Sequence, residues 1–519
     1  MIRTHCRRKM SNFLQLSEQH ENFTLSLAFL ALSFVIFLLK WSPLSSSKKF
    51  LPPSPPKFPI IGNLHQVGLH PHRSLRYLAQ THGPVMLLHL GSVPVLVISS
   101  AEMACEVIKT HDRVFADRPR SSISEKLLYH RKDIAAAPYG EYWRQMKGLS
   151  VLHLLSTKRV QSFSHVREEE TDYMIDRVNR FYSSSSTPLN LSEILATLTN
   201  DVVCRVALGR KHIATKGGIN FKELLGEFVE LLGFNIGTYI PWLAWINHVN
   251  GVNSRVERVA KELDNFLDGV VEEHMSSDRR DDYSKDFVDV LLWVQKENMA
   301  GFPIDRISIK ALILDVFSAG TDSTYTVLEW TMTELLRHPK IMKRLQNEVR
   351  EIANSKSRIT PDDLNKMQYL KAVIKETLRL HPPLPLLVPR VSTQDVKLKG
   401  FDIAAGTQIL INAFAIGRDP ASWDRPEEFW PDRFLDSSID FKGHDFQLLP
   451  FGTGRRACPG IQFAISIEEL ALANLLYKFE WALPSGAREE DLDMTESIGL
   501  TTHRKSPLLA VATPYSHQQ

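Results

Sequence analysis

The sequence predicts a mainly α chain with a small β portion, built as one large body behind an N-terminal membrane helix. Three observations carry that expectation. Long stretches repeat apolar residues at helical spacing, most clearly 306–337. Short apolar runs broken by glycine occur at 85–98 and 396–413 and read as strands. A charge-free apolar run fills residues 23–39.

In chain order, residues 1–22 are an N-terminal extension and residues 23–39 the transmembrane anchor. As a helix the anchor spans about 25 Å, near the lower limit for a hydrocarbon core of about 30 Å. Lys40 and Trp41 stand at its end, where interfacial anchors belong. The alternative is a cleaved signal peptide. Against it, Lys40-Trp-Ser-Pro43 follows the run in place of the small residues of a cleavage site. Arg3, Arg7, Arg8 and Lys9 precede the run, and Lys40, Lys48, Lys49 and Lys57 follow it. Charge is therefore nearly balanced across it, and translation from Met10 would tip the balance toward a cytosolic body. Residues 40–59 contain Leu51-Pro-Pro-Ser-Pro-Pro56, a stiff extended hinge.

Residues 60–519 form the body. Gly91-Ser92 splits 85–98 into a hairpin, and Gly400 and Gly406 mark turns in 396–413. The long helix 306–337 stops at His338-Pro339. A second helix is expected over 363–380, stopped by His381-Pro-Pro383, and a third over 460–479. No linker, repeat or low-complexity block divides the body. Lys plus Arg number 62 against 59 Asp plus Glu, so no concentrated basic face argues for nucleic acid. Cys6, Cys105, Cys204 and Cys458 contain no C-x-x-C pair and suit neither a zinc site nor a disulfide framework.

One cysteine stands apart by its neighbours. Phe451-Gly-Thr-Gly-Arg-Arg-Ala-Cys-Pro-Gly460 places glycines where the backbone can turn tightly and approach something flat. Cys458 precedes a helix, whose free N–H groups favour a thiolate, and Arg455 and Arg456 are expected to add positive charge. Three other readings stay open at this point. Gly452-x-Gly454-x-x-Ala457 fits a loose dinucleotide fingerprint, though no βαβ unit surrounds it. A catalytic cysteine would need a partner histidine. The loop could also be a turn with an incidental cysteine.

The loop resembles the F-x-x-G-x-R-x-C-x-G signature of the cytochrome P450 superfamily, with Phe451, Gly454, Arg456, Cys458 and Gly460 at its fixed positions. That resemblance implies a single cytochrome P450-like catalytic domain holding haem b, iron protoporphyrin IX. It makes Cys458 the metal ligand, Phe451 a shield for the sulfur, and Arg456 a partner for a haem propionate. An electron-rich thiolate on iron favours O–O cleavage. Glu376-Thr-Leu-Arg379 resembles the family's E-x-x-R, and Pro431-Asp-Arg-Phe434 its P-E-R-F. Together they imply a buried network of Glu376, Arg379 and Arg433, with Asp432 in place of the commoner glutamate. Ala319-Gly-Thr-Asp-Ser323 resembles the family's oxygen-activation motif within a locally widened helix. It makes Asp322 and Ser323 the catalytic proton relay. Trp143 and Lys147 resemble the pair that binds one propionate, and Arg390 the residue that reaches the other.

The proline hinge and residues 493–500 resemble the plant microsomal branch. The implied activity is a monooxygenase that inserts one atom of dioxygen into a lipophilic small molecule. A terpenoid, a phenolic such as a coumarin, or an oxime would each fit. The implied partners are NADPH-cytochrome P450 reductase, with cytochrome b5 as an optional second donor, at the endoplasmic reticulum membrane. Electrons would enter near Arg455, steered by charge. The resemblance draws the pocket from 118–136, 231–239, 316–321, 384–388 and 497–500. The alternative is a haem-thiolate isomerase or dehydratase without net oxygen insertion, which would need no relay at Asp322 and Ser323.

Overall fold

The computed structural model describes residues 50–184, 188–211, 221–233, 235–276, 286–299, 301–354 and 356–515, with a few positions between 26 and 33. The anchor expected at 23–39 lies largely outside the described residues. Among the described residues, no helix is long and apolar enough to cross a membrane. Leu51–Gln519 cluster as one unit.

Within that unit the helix Arg306–Arg337 is the axis. Asp305 caps it, its carboxylate accepting from Ser308 N at 2.8 Å, and His338-Pro339 ends it. Leu191–Leu208 packs along it through Ile194, Leu195, Leu198, Val202 and Val203, all buried. Ile461–Lys478 crosses it on another side with Phe463, Ile467 and Leu470 in the same core. Gly320 explains how these helices come so close. A Cβ there would stand 3.2 Å from Val203 Cγ2 and 3.8 Å from Phe463 Cε1. The glycine therefore serves packing, and the helix runs unbroken through residues 319–323 with no local widening.

The β portion is small. Strands β1 (Val85–Leu90) and β2 (Val93–Ile98) form the expected hairpin, with Leu90 opposite Val93 and Gly91 at φ +58° in the turn. Strand β3 is Leu189–Asn190 and β4 is Arg390–Val391. Strands β5 (Val396–Leu398) and β6 (Phe401–Ile403) form a second hairpin. Its turn residues Lys399 and Gly400 both have positive φ, as a type I′ turn requires. Strand β7 (Gln408–Ile411) pairs parallel with β2 and antiparallel with β4, giving the order β1-β2-β7-β4. Strands β8 (Phe479–Ala482) and β9 (Leu509–Pro514) join β3 in a second sheet.

One element starts later than its pattern suggests. The helix expected over 363–380 is two pieces, Pro361–Leu364 and Gln368–Leu380. Asp363 turns back to accept from Thr360 N and Oγ1, closing a capping box on the first piece. Glu348, from Pro339–Ala353, accepts from Tyr369 N at 2.8 Å and Leu370 N at 3.0 Å and so opens the second. The break is set by a carboxylate remote in sequence.

Candidate active site

The cysteine loop is shaped by two glycines. Gly452 and Gly454 have φ near +60° and +71°, and a Cβ on Gly454 would meet Ile108 Cγ2 at 2.7 Å. Cys458 N donates to Phe451 O at 3.0 Å, and Gly460 N donates to Cys458 Sγ at 3.4 Å. Phe451 packs edge-on against Phe441, with ring centres 5.4 Å apart. Burial pushes the Cys458 thiol up, against the Gly460 N–H and the charge of Lys147. The expectation that Arg455 and Arg456 electrify the sulfur is therefore corrected. Arg455 turns outward to Asp112 at 3.2 Å, and Arg456 turns into the backbone carbonyls of Ala116, Ile134 and Ala137. The charge that does act on the sulfur is the Lys147 ammonium. It donates to the carbonyls of Arg455 and Ala457.

Around the loop the chain gathers more cations than the carboxylates in contact with them, of which Asp112 is one. The Arg456 guanidinium lies 4.2 Å from the Trp143 ring centre, and Lys147 Nζ lies 5.2 Å from it. Trp143 Nε1 donates to Ile134 O at 3.0 Å. Arg390 donates to Thr453 O at 3.0 Å and meets Asp112 at 3.4 Å. A further cation, Arg118, donates to the carbonyls of Ala135, Val388 and Pro389. Burial holds all four below their ordinary ranges, Lys147 at about 8 and Arg456 at about 10. Repulsion from Arg456 acts on both Arg118 and Lys147. A set of partly buried cations satisfied mainly by carbonyls is costly for the protein alone. It fits a flat dianion whose two carboxylates reach these donors. Arg118 had no signal in sequence, because Asp117-Arg118-Pro119 reads as an ordinary turn.

The long helix opens on the other side. It is buried from Ser308 to Asp315 and again from Thr326 to Leu336, yet Ala319 is exposed and Ser318, Gly320, Thr321, Asp322 and Ser323 are half-buried. Asp322 Oδ2 accepts from the Thr501 hydroxyl. Ser323 Oγ donates to Ala319 O at 2.6 Å, so the expected acid and alcohol are neighbours that do not bond each other. Thr501 lies one residue beyond the pocket segment expected at 497–500.

Two buried acids lie further along the same helix and against the loop that holds Ile134. Asp315 accepts from Ile134 N at 2.7 Å, and Asp133 from Ala136 N at 2.6 Å. The second oxygen of Asp133 has no hydrogen-bond partner among the described residues. Burial and the charge of Asp133 hold Asp315 well above the carboxylate range; burial pushes Asp133 up to about 6.

Behind the loop the expected network is present. Arg379 pairs with both oxygens of Glu376, at 2.7 and 2.8 Å, and Arg433 reaches Glu376 at 3.1 Å. Arg379 also donates to the carbonyls of Gly417, Pro426 and Glu428. Asp432 stays outside this network and pairs with Arg344.

A cysteine loop over a cationic cradle, set in a helical body with this small sheet, defines the haem-thiolate class of oxidoreductases. The family model described as Cytochrome P450 matches residues 52–511. Cytochrome P450 736A117 of Prunus mume is 59% identical, covering 97% of this chain and 98% of its own. Cytochrome P450 71A4 of Solanum melongena is 56% identical over 95% and 98%. Norfluorocurarine oxidase of Strychnos sp is 53% identical over 92% and 96%. Among solved structures, a zebra fish cytochrome P450 with progesterone superposes with a TM-score of 0.73 at 27% identity, covering 86% of this chain and 99% of that one. The chain belongs to the cytochrome P450 family; it is a haem b-dependent monooxygenase with plant relatives.

Proposed function

We propose that this enzyme inserts one atom of dioxygen into a lipophilic plant metabolite, with electrons from NADPH delivered by a separate reductase at the endoplasmic reticulum membrane. The observation that carries this reading is the open middle of the long helix. A helix otherwise buried along both flanks leaves one acid and one alcohol, Asp322 and Ser323, only half-buried among small residues.

Cys458 would ligate the iron, and Trp143, Lys147, Arg390 and Arg456 would hold the propionates, joined by Arg118. Phe451 would cover the sulfur. The bound haem supplies the redox chemistry that activates dioxygen. The chain supplies protons and position. Asp322 takes a proton from water at its carboxylate, and Ser323 passes its hydroxyl proton toward the oxygen site and regains one from Asp322. For that, the Ser323 hydroxyl turns from Ala319 O. Leu384 and Val388, half-buried in the apolar segment 384–388, would help to keep bulk water from the substrate. Leu387 is held at φ +52°, a strained conformation for a leucine.

Two surface features support the partners. Arg144 and Arg455 are exposed and flank the Tyr139 ring at 5.9 and 5.8 Å, a basic patch beside the cysteine loop that suits an acidic electron donor such as the reductase or cytochrome b5. Phe58, Leu69, Trp242 and Trp245 are each at least 58% exposed. The β1–β2 turn joins the two segments that carry them, with Gly91 N on Ile61 O at 3.0 Å and Ser92 N on Tyr239 O at 2.9 Å. An aromatic patch of this kind suits a membrane interface, together with an anchor at 23–39.

The test uses microsomes from cells coexpressing the reductase, a lipophilic plant extract, NADPH and isotope-labelled dioxygen. Label in an NADPH-dependent product is expected. A product formed without label would overturn oxygen insertion.

A further inference from the structure

The segment that carries Thr501 is fastened to the long helix at several points. Trp330 Nε1 donates to Thr502 O at 2.8 Å, and Arg504 N donates to Glu329 Oε2 at 3.0 Å. Thr502 N donates to Pro383 O at 3.0 Å, and Ser497 N closes the hairpin on His503 O at 2.8 Å. Glu496 and Arg504 form its bridge. Thr501 and Thr502 are buried, while Ile498 at the tip is 65% exposed. The hairpin is therefore rigid at its base, and Thr501 is presented to Asp322 from a fixed position.

Each hydroxyl here has one proton to give. That of Thr501 goes to Asp322 Oδ2, and that of Ser323 goes to Ala319 O. The other oxygen of Asp322 has no hydrogen bond among the described residues. Acid and alcohol are thus held apart although they are adjacent in sequence. A hydroxyl on a carboxylate is a charge-assisted bond, stronger than the neutral bonds around it.

We propose that Thr501 is a positioning residue whose hydroxyl latches the Asp322 carboxylate against the C-terminal hairpin, and that the relay from Asp322 to Ser323 runs when this latch opens. The inference rests on the relay reading of Asp322. No proton is transferred in the latch itself. On opening, the Thr501 hydroxyl turns to another acceptor. Asp322 then takes a proton from water and hands it to Ser323 as Ser323 gives up its own. The latch withholds the relay until substrate enters beside the hairpin and turns the Thr501 side chain, the backbone staying in place.

The test compares wild type, Thr501→Val, Thr501→Ser, Asp322→Asn and the Thr501→Val, Asp322→Asn double variant as haem-loaded enzymes with reductase. Two readouts need no substrate: the C–O stretching band of the carbon monoxide adduct, and NADPH consumption. Losing one bond to a charged group shifts the Asp322 rotamer population about tenfold. Thr501→Val is expected to shift or split the C–O band and to raise substrate-free NADPH consumption several-fold. Thr501→Ser keeps the wild-type band and rate, and adding Asp322→Asn to Thr501→Val brings the raised rate back down. Thr501→Ala serves as the second hydroxyl-free variant if Thr501→Val holds haem poorly. A hydroxyl-free variant with wild-type band and rate overturns the latch, and loss of product from the plant extract in Asp322→Asn then leaves the relay standing. A rate that stays raised in the Thr501→Val, Asp322→Asn double variant overturns the relay itself.

Discussion

The rear of the cysteine loop and the open middle of the long helix hold their charges in opposite ways. Behind the loop, Glu376 is bound by two guanidiniums and by Trp430 N, and Arg379 adds three carbonyls. In the helix, Asp322 is held by one hydroxyl from another segment. The difference separates two tasks. A framework that must not move is over-determined by many strong bonds. A group that must exchange protons is left with few, so that rearranging them costs little.

Removing a partner from the framework should have the largest effect. Glu376→Ala leaves two guanidiniums buried without a counter-charge, a loss of about 3–5 kcal/mol. Denaturant unfolding of the haem-loaded protein measures it, and an undiminished midpoint would break the contrast. Next comes Asp322→Asn, which should leave unfolding unchanged and lower product formation on the order of a hundredfold. Product formed per NADPH is the measurement, and a wild-type ratio would mean that protons arrive elsewhere.

The buried acids between the two regions sharpen the comparison through pH. The folded state raises both Asp133 and Asp315 above the carboxylate range. Folded protein then keeps protons that the unfolded chain sheds above about pH 4. Stability contributed by these acids is full at low pH and is lost as pH rises through their folded values, about 6 for Asp133 and well above the ordinary carboxylate range for Asp315. Asp315→Asn should flatten the fall in melting temperature over that window. A fall as steep as that of wild type would show that other groups produce it. The smallest effect is expected at Asp432. Its pair with Arg344 is solvent-facing, so Asp432→Ala should cost less than about 1 kcal/mol by the same unfolding assay.

What the sequence reveals follows the same division. The framework is legible because its residues sit at fixed spacings, Glu376 three before Arg379 and Cys458 two before Gly460. The long helix and both hairpins are legible from periodicity and turn residues. Contacts made by residues far apart in the chain are not. Thr501 is 179 residues from Asp322, and Arg118 meets Val388 across 270. The split at residues 365–367 depends on Glu348, and local helical propensity carries no trace of it. The surroundings of the sulfur misled for a related reason. Arg455 and Arg456 flank Cys458 in sequence, but the tight turns at Gly452 and Gly454 send their side chains away from it.

The close approach at Gly320 bears on how such an enzyme can change its chemistry over generations. A methyl group there would press on Val203, whose branched side chain has little freedom to yield inside a helix. Residue 320 thus accepts a side chain only where Val203 gives way by a few tenths of an ångström, while Ile498 on the exposed hairpin tip is free to vary. Lineages that acquire new substrates from this scaffold, and libraries made to imitate them, should accumulate their changes along the hairpin and leave the helix crossing untouched.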